Sequence, residues 1–187
     1  NPRKGGIIAM TLDKGDNLIS AVLSDGNQEV LLGTLSGKSI RFKEKQVRDM
    51  GRQAKGVKGV SLLKNNQIVG MVVVSSTMNK SPTTFLTVTA GGFAKRTSLG
   101  EYRLQSRGGK GIINIKTTKK NGEAVAVMIV EPQDEILVVT QKGMIVRCAV
   151  KDIRQTGRNT QGVRMIALEK GDTVVSVAKV VAKDEEE

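Results

Sequence analysis

The sequence predicts an all-β domain: a ring of four-stranded, propeller-like blades, about three and a half to four of them in this chain. Three observations lead there. A pattern of about 50 residues recurs along the chain. Apolar runs of strand length alternate with glycine turns. Gly is frequent, at 21 of 187 residues, and Pro is rare, at 3. That balance suits strands joined by tight turns, because Gly adopts the positive φ that such turns require.

The recurrence is visible position by position. Three segments align without a gap. The first runs from Val30 through Gly37, Arg41, Val47, Gly51-Arg52 and Gly56. The second runs from Phe85 through Gly92, Arg96, Tyr102, Ser106-Arg107 and Gly111, and the third from Ile136 through Gly143, Arg147, Ile153, Gly157-Arg158 and Gly162. In each, Arg lies 4 residues after the turn Gly, a large apolar residue 10 after it, a second Arg 15 after it and another Gly 19 after it.

Each repeat reads as strands. Asn17 to Ser24, Glu29 to Leu35 and Ser39 to Lys43 are apolar or alternating, with Asp25-Gly26-Asn27 and Ser36-Gly37-Lys38 as turns. Ile68 to Ser75, Thr84 to Thr89 and Phe93 to Thr97 follow, with a hairpin at Gly91-Gly92. Ala124 to Val130, Glu135 to Thr140 and Met144 to Ala149 follow in turn, with Lys142-Gly143. A Gly with an apolar successor opens a further strand ahead of each set, at Gly6-Ile7-Ile8, Gly56-Val57, Gly111-Ile112-Ile113 and Gly162-Val163. The sets therefore read as 6–47, 56–99 and 111–150, with 162–181 as half of another. One domain spans 1–182, and 183–187 is an acidic tail.

Composition narrows function by exclusion. With no His, there is no Ser-His-Asp triad, no Cys-His pair and no His-ligated zinc. One Cys allows no internal disulfide, which suits a reducing, cytoplasmic setting. Cys148 alternates with Arg147 along a strand and reads as a small core residue. Asp25, Asp134 and Glu135 flank turns, so no catalytic residue and no metal site is expected. Gly108-Gly109-Lys110-Gly111 lacks the full phosphate-loop pattern and a following helix. The apolar runs are too short for a membrane-spanning helix, and no membrane partner is expected. The chain opens on Asn1-Pro2-Arg3-Lys4 without an initiator Met, which reads as part of a longer polypeptide.

Charge points to a polyanion. Lys and Arg number 30 against 18 Asp and Glu, a formal charge of +12. Nucleic acid is the first candidate. Alternation along Ile40-Arg41-Phe42-Lys43 places Arg41 and Lys43 on the face opposite Ile40 and Phe42. Lys95-Arg96 and Arg147 recur at matching places, so a basic band across successive blades is expected. The glycine-rich connectors add Arg48, Arg52 and Lys55, then Arg103, Arg107 and Lys110, then Arg154, Arg158, Asn159 and Gln161. Arg and Lys neutralise phosphates, Asn and Gln bond the sugar–phosphate chain, and Gly lets the backbone approach it. Aromatics are too sparse to stack single strands, so duplex DNA is the expected partner.

The runs Val47 to Arg52, Tyr102 to Ile112 and Gly157 to Val163 resemble the C-terminal domain of bacterial DNA gyrase A, and the likeness covers the whole chain. The resemblance implies a β-pinwheel, a propeller-like ring with an exchanged strand between neighbouring blades and a basic outer edge that wraps duplex DNA. It also implies a non-catalytic part of an ATP-hydrolysing type II topoisomerase, with ATP and Mg acting elsewhere. The implied partners are the rest of gyrase A and gyrase B, in a heterotetramer, while the isolated fragment is expected to be monomeric. One motif departs from the family. Its box, Gln-Arg-Arg-Gly-Gly-Lys-Gly, is nearest to Gln105 to Gly111, where Ser106 replaces the first Arg. That departure keeps the C-terminal domain of the corresponding topoisomerase IV protein as an alternative.

Overall fold

A computed structural model describes residues 5–75, 78 and 82–180. Eleven strands lie among them: β1 Glu29–Thr34, β2 Lys38–Lys43, β3 Ile68–Val74, β4 Thr84–Thr89, β5 Phe93–Ser98, β6 Ile112–Ile113, β7 Ala124–Val130, β8 Glu135–Thr140, β9 Ile145–Ala149, β10 Val163–Arg164 and β11 Val174–Lys179. They form three antiparallel sheets, ordered β3-β1-β2-β6, β7-β4-β5-β10 and β11-β8-β9. The all-β blade architecture is as expected. The acidic tail, 183–187, lies outside the described residues.

The grouping of strands differs from the sequence reading. Each sheet is a hairpin plus the inner strand that follows it, so the units are 29–74, 84–130 and 135–179. The short Gly-led strand joins the preceding sheet: β6 pairs with Lys38-Ser39 of β2, and β10 with Phe93-Ala94 of β5. Contiguity in sequence suggested that this strand opens its own blade, but the hydrogen-bonding edge it completes belongs to the blade before. Asn17 to Ser24 and Gly56-Val57 form no strand. The counterparts of Asn17 to Ser24 pair with the hairpin of the repeat before their own, and no such hairpin precedes it among the described residues. Gly56-Val57 likewise has no preceding outer strand to complete.

The sheets stack face to face. Leu31, Val74, Phe85, Leu99, Tyr102 and Val127 fill the space between the first and second blades. Leu86, Val88, Ala94, Val130, Ile136, Val138 and Val174 fill that between the second and third. Covered on both sides, β4 is buried at all six positions. β8 is buried at alternate positions, Ile136, Val138 and Thr140, as a strand with one covered face should be. β7 packs between β3 and β11, so these strands form the inner side and β6 and β10 the outer rim.

A backbone constraint holds each exchanged strand. Gly111 and Gly162 have φ of +69° and +76°. A Cβ at Gly111 would lie 2.6 Å from Ser39 O, and one at Gly162 would lie 2.8 Å from Ala94 O. Both clashes are with the strand being completed. Gly111→Ala is therefore expected to cost about 2 kcal/mol, since it adds a clash to left-handed strain. Gly143→Ala is expected to cost only about 1 kcal/mol, because Gly143 has φ of +87° and nothing within 4 Å. Urea midpoints of the two variants check this; equal shifts would show that the clash with Ser39 is relieved without loss.

Candidate nucleic-acid interface

The three arginines that follow the turn glycines are equivalent in sequence and different in space. Arg41 is buried. Its guanidinium pairs with Glu29 at 2.5 Å and donates to the carbonyls of Leu99 at 2.7 Å and Tyr102 at 3.2 Å. Arg96 is half-buried and donates through Nε to Ile153 O at 2.7 Å. Arg147 is exposed and paired with Glu135 of its own blade. Alternation along β2 does place Arg41 opposite Ile40 and Phe42. At Arg41, however, that second face is covered by the next repeat rather than by water. Arg41 and Arg96 thus staple the 3-10 turn of the following repeat, at Leu99–Glu101 and Val150–Asp152. The expected basic band through these three positions is corrected: Arg41 is unavailable to a ligand, and Arg96 is committed to a carbonyl.

Lys95 is corrected in the same way. It is fully buried, at 0% exposure, and its Nζ donates to Gly157 O at 2.7 Å and Arg158 O at 2.6 Å. Burial lowers its pKa to about 8, against the opposing pull of the Glu101 carboxylate, with Arg158 lowering it further. Ile40 and Val146 hold the matching places in the other blades. There an apolar side chain stands; here an ammonium gathers two backbone carbonyls.

The connectors carry what remains on the surface. The second and third, Arg103–Lys110 and Arg154–Gln161, cover the outer edge of the preceding hairpin. Gln105 N donates to Arg41 O at 2.8 Å, and Thr156 N donates to Arg96 O at 2.9 Å. Leu104 and Gln155 bridge the same two strands in parallel. The buried anchors Tyr102 and Ile153 precede the exposed Arg103 and Arg154, and the half-buried Val47 precedes the exposed Arg48. Arg48, Arg103 and Arg154 are all 11 residues after their turn Gly, so one exposed arginine recurs per blade at the rim. Tyr102 is fixed further by its hydroxyl, which donates to Asn114 Oδ1 at 2.7 Å, and by an edge contact with Phe85.

The second connector arginines divide. Arg107 donates to Gln46 O at 3.1 Å and also to Lys58 O at 2.5 Å. Arg158 donates to Ile113 O at 2.8 Å, the matching carbonyl one repeat later. Both are half-buried clamps, whereas Arg52 is exposed. Lys43, Lys110, Asn159 and Gln161 are exposed, and Lys55 is exposed but paired with Asp13 at 2.5 Å. The rim that can meet a polyanion is therefore Lys43, Arg48, Arg52, Arg103, Lys110, Arg154 and the Asn159–Gln161 loop. Sequence reasoning passed over Gln46 and Glu101. Both lie 9 residues after a turn Gly, and both hold a connector of the next repeat. Among the described residues, no group of three or more His, Cys, Asp or Glu side chains could hold a metal, and no helix is long and apolar enough to cross a membrane.

A model of the family described as "DNA gyrase C-terminal domain, beta-propeller" matches residues 1–25, 28–75, 83–131 and 134–180. The chain belongs to the DNA gyrase C-terminal domain family. The matched pieces of this gyrase domain follow the spatial units, hairpin plus inner strand, and not the phase read from sequence. DNA gyrase A of Staphylococcus epidermidis is 43% identical over 182 residues, covering 97% of this chain and 20% of that protein. That of Mycolicibacterium smegmatis is 40% identical over 186 residues, covering 98% and 21%. The chain thus spans about a fifth of these relatives. A solved DNA gyrase A C-terminal domain superposes with a TM-score of 0.83 at 26% identity, covering 95% of this chain and 59% of that one. The C-terminal domain of DNA topoisomerase IV superposes at 0.81 and 27%, covering 90% and 52%. Fold alone does not separate the two; the sequence relatives are gyrase A proteins, and topoisomerase IV is not favoured over them.

Proposed function

We propose that this gyrase domain binds duplex DNA along its connector rim and bends it around the outer edge of the stacked blades. The supporting observation is the recurrence of an exposed arginine at Arg48, Arg103 and Arg154, each beside a glycine-bearing loop, two of which stand on the outer edge of a blade. Phosphates recur along a duplex, and a cation recurring blade by blade can follow them around a curve. Bending about 40 base pairs through half a turn costs roughly 10 kcal/mol on a persistence length of about 150 base pairs. Phosphate neutralisation along the rim offsets that cost, so binding is steeply salt-dependent and nearly indifferent to base sequence.

Within a whole gyrase A, paired with gyrase B in the cytoplasm, such a wrap would present a DNA segment with one handedness to an ATP-driven strand-passage core. Negative supercoiling follows from that. The domain itself supplies no reacting group in this reading. Sealing nicked circular DNA with the chain bound, and then removing the protein, tests the proposal. A positive shift in linking number is expected. Binding that does not weaken between about 50 and 200 mM salt would overturn it.

A further inference from the structure

In two connector loops, one peptide N–H meets a side chain of the preceding blade. The N–H of Arg107 donates to Gln46 Oε1 at 2.7 Å, and that of Arg158 donates to Glu101 Oε2 at 3.1 Å. Gln46 and Glu101 end equivalent 3-10 turns, so one place holds an amide in one repeat and a carboxylate in the next. The inner side of the loop is exchanged to match. Ile40 stands where Lys95 stands, and Lys95 Nζ binds the carbonyls of Gly157 and Arg158.

In a trans peptide, the C=O and N–H point in opposite directions. The Gly157–Arg158 peptide therefore has an ammonium at its carbonyl end and a carboxylate at its N–H end. The ammonium polarises the peptide and makes its N–H a stronger donor to an anion. Glu101 reaches that N–H from an exposed position and can leave it for water. A phosphodiester oxygen has the charge sign and acceptor character of the carboxylate it would replace.

We propose that the Arg158 N–H is a DNA-phosphate site and that Glu101 holds it closed until a phosphate oxygen displaces the carboxylate. The inference rests on DNA binding along the rim. It deepens that reading by making the two connectors unequal. At Arg107 a neutral amide occupies the N–H and repels nothing. At Arg158 a negative side chain competes with the DNA.

The test compares Glu101→Gln, Gln46→Glu and the control Glu123→Gln in the 187-residue chain. Glu123 is exposed, ahead of β7, and outside the connector loops in sequence. Binding of a labelled duplex of about 40 base pairs is followed at several salt concentrations, a length set by the bending argument. Glu101→Gln is expected to bind about fivefold more tightly, and Gln46→Glu about fivefold more weakly, the size of one charge contact at about 4 Å in water. Glu123→Gln is expected to bind as the unaltered chain does. Should Glu101→Gln fold poorly for want of a partner to Lys95, Gln46→Glu, which faces no buried ammonium, decides. Salt-sensitive binding in the unaltered chain, with Glu101→Gln no different from Glu123→Gln or Gln46→Glu no weaker, would overturn this site alone. Absence of salt-sensitive binding in the unaltered chain would overturn the rim reading and this site with it.

Discussion

Arg41→Ala lowers the stability of the domain by about 3 kcal/mol, because it strands a half-covered carboxylate and frees two backbone carbonyls inside the fold. The carboxylate is Glu29, whose side chain is 20% exposed, and the carbonyls are those of Leu99 and Tyr102. Arg147→Ala, at the equivalent place, leaves the urea midpoint unchanged, because Arg147 pairs with Glu135 at the surface. Arg96→Ala falls between them, at about 1 kcal/mol, the worth of one hydrogen bond to Ile153 O. Urea titrations followed by circular dichroism rank the three. Equal midpoints for Arg41→Ala and Arg147→Ala would show that Arg41 does not hold the blades together.

Changing Arg48, Arg103 and Arg154 together to Ala has the opposite profile. The fold survives, since all three side chains are exposed on the connectors. DNA binding weakens, and its dependence on salt flattens. Three lost phosphate contacts reduce the slope of log affinity against log salt by about 2.7. Between about 50 and 200 mM salt, the unaltered chain should then lose roughly fortyfold more affinity than the variant. A parallel salt dependence in the two chains would remove these arginines from the interface.

Much of the fold was legible because strand signals are local. Thr84–Thr89, Ala124–Val130 and Glu135–Thr140 stand where the alternation and turns put them, and the other long strands differ by a residue or so at their ends. Blade membership was not legible. Which edge Ile112-Ile113 completes depends on hydrogen bonds to Lys38-Ser39, roughly 70 residues earlier, and no local pattern reports it. The site divides in the same way. Periodicity identified Arg41, Arg96 and Arg147 as equivalent but said nothing of what covers each one. The next connector covers the first and half-covers the second, while no connector lies beside the third among the described residues. Lys95 was misread because a lysine among small and polar residues looks solvated, while its two carbonyl partners come from a loop 62 and 63 residues away. Arg48, Arg103 and Arg154 are exposed on their connectors, as phosphate contacts proposed at those places require.

The borrowed strand also sets a timetable for making the protein. The outer edge of β2 is complete once Lys43 has been added, but the residues that cover it, Ile112 and Ile113, come much later in the chain. At about 5–20 residues per second, the roughly 70 intervening residues take on the order of 4–14 s on the ribosome. For that interval the nascent hairpin presents an unpaired edge, the feature from which strand-to-strand aggregation starts. Lys38, Arg41 and Lys43 along that strand give it a charge that discourages a second copy from docking. Lys43 then keeps its place in water at the rim, while Arg41 gains the carbonyls of Leu99 and Tyr102 only when that later stretch of chain has emerged.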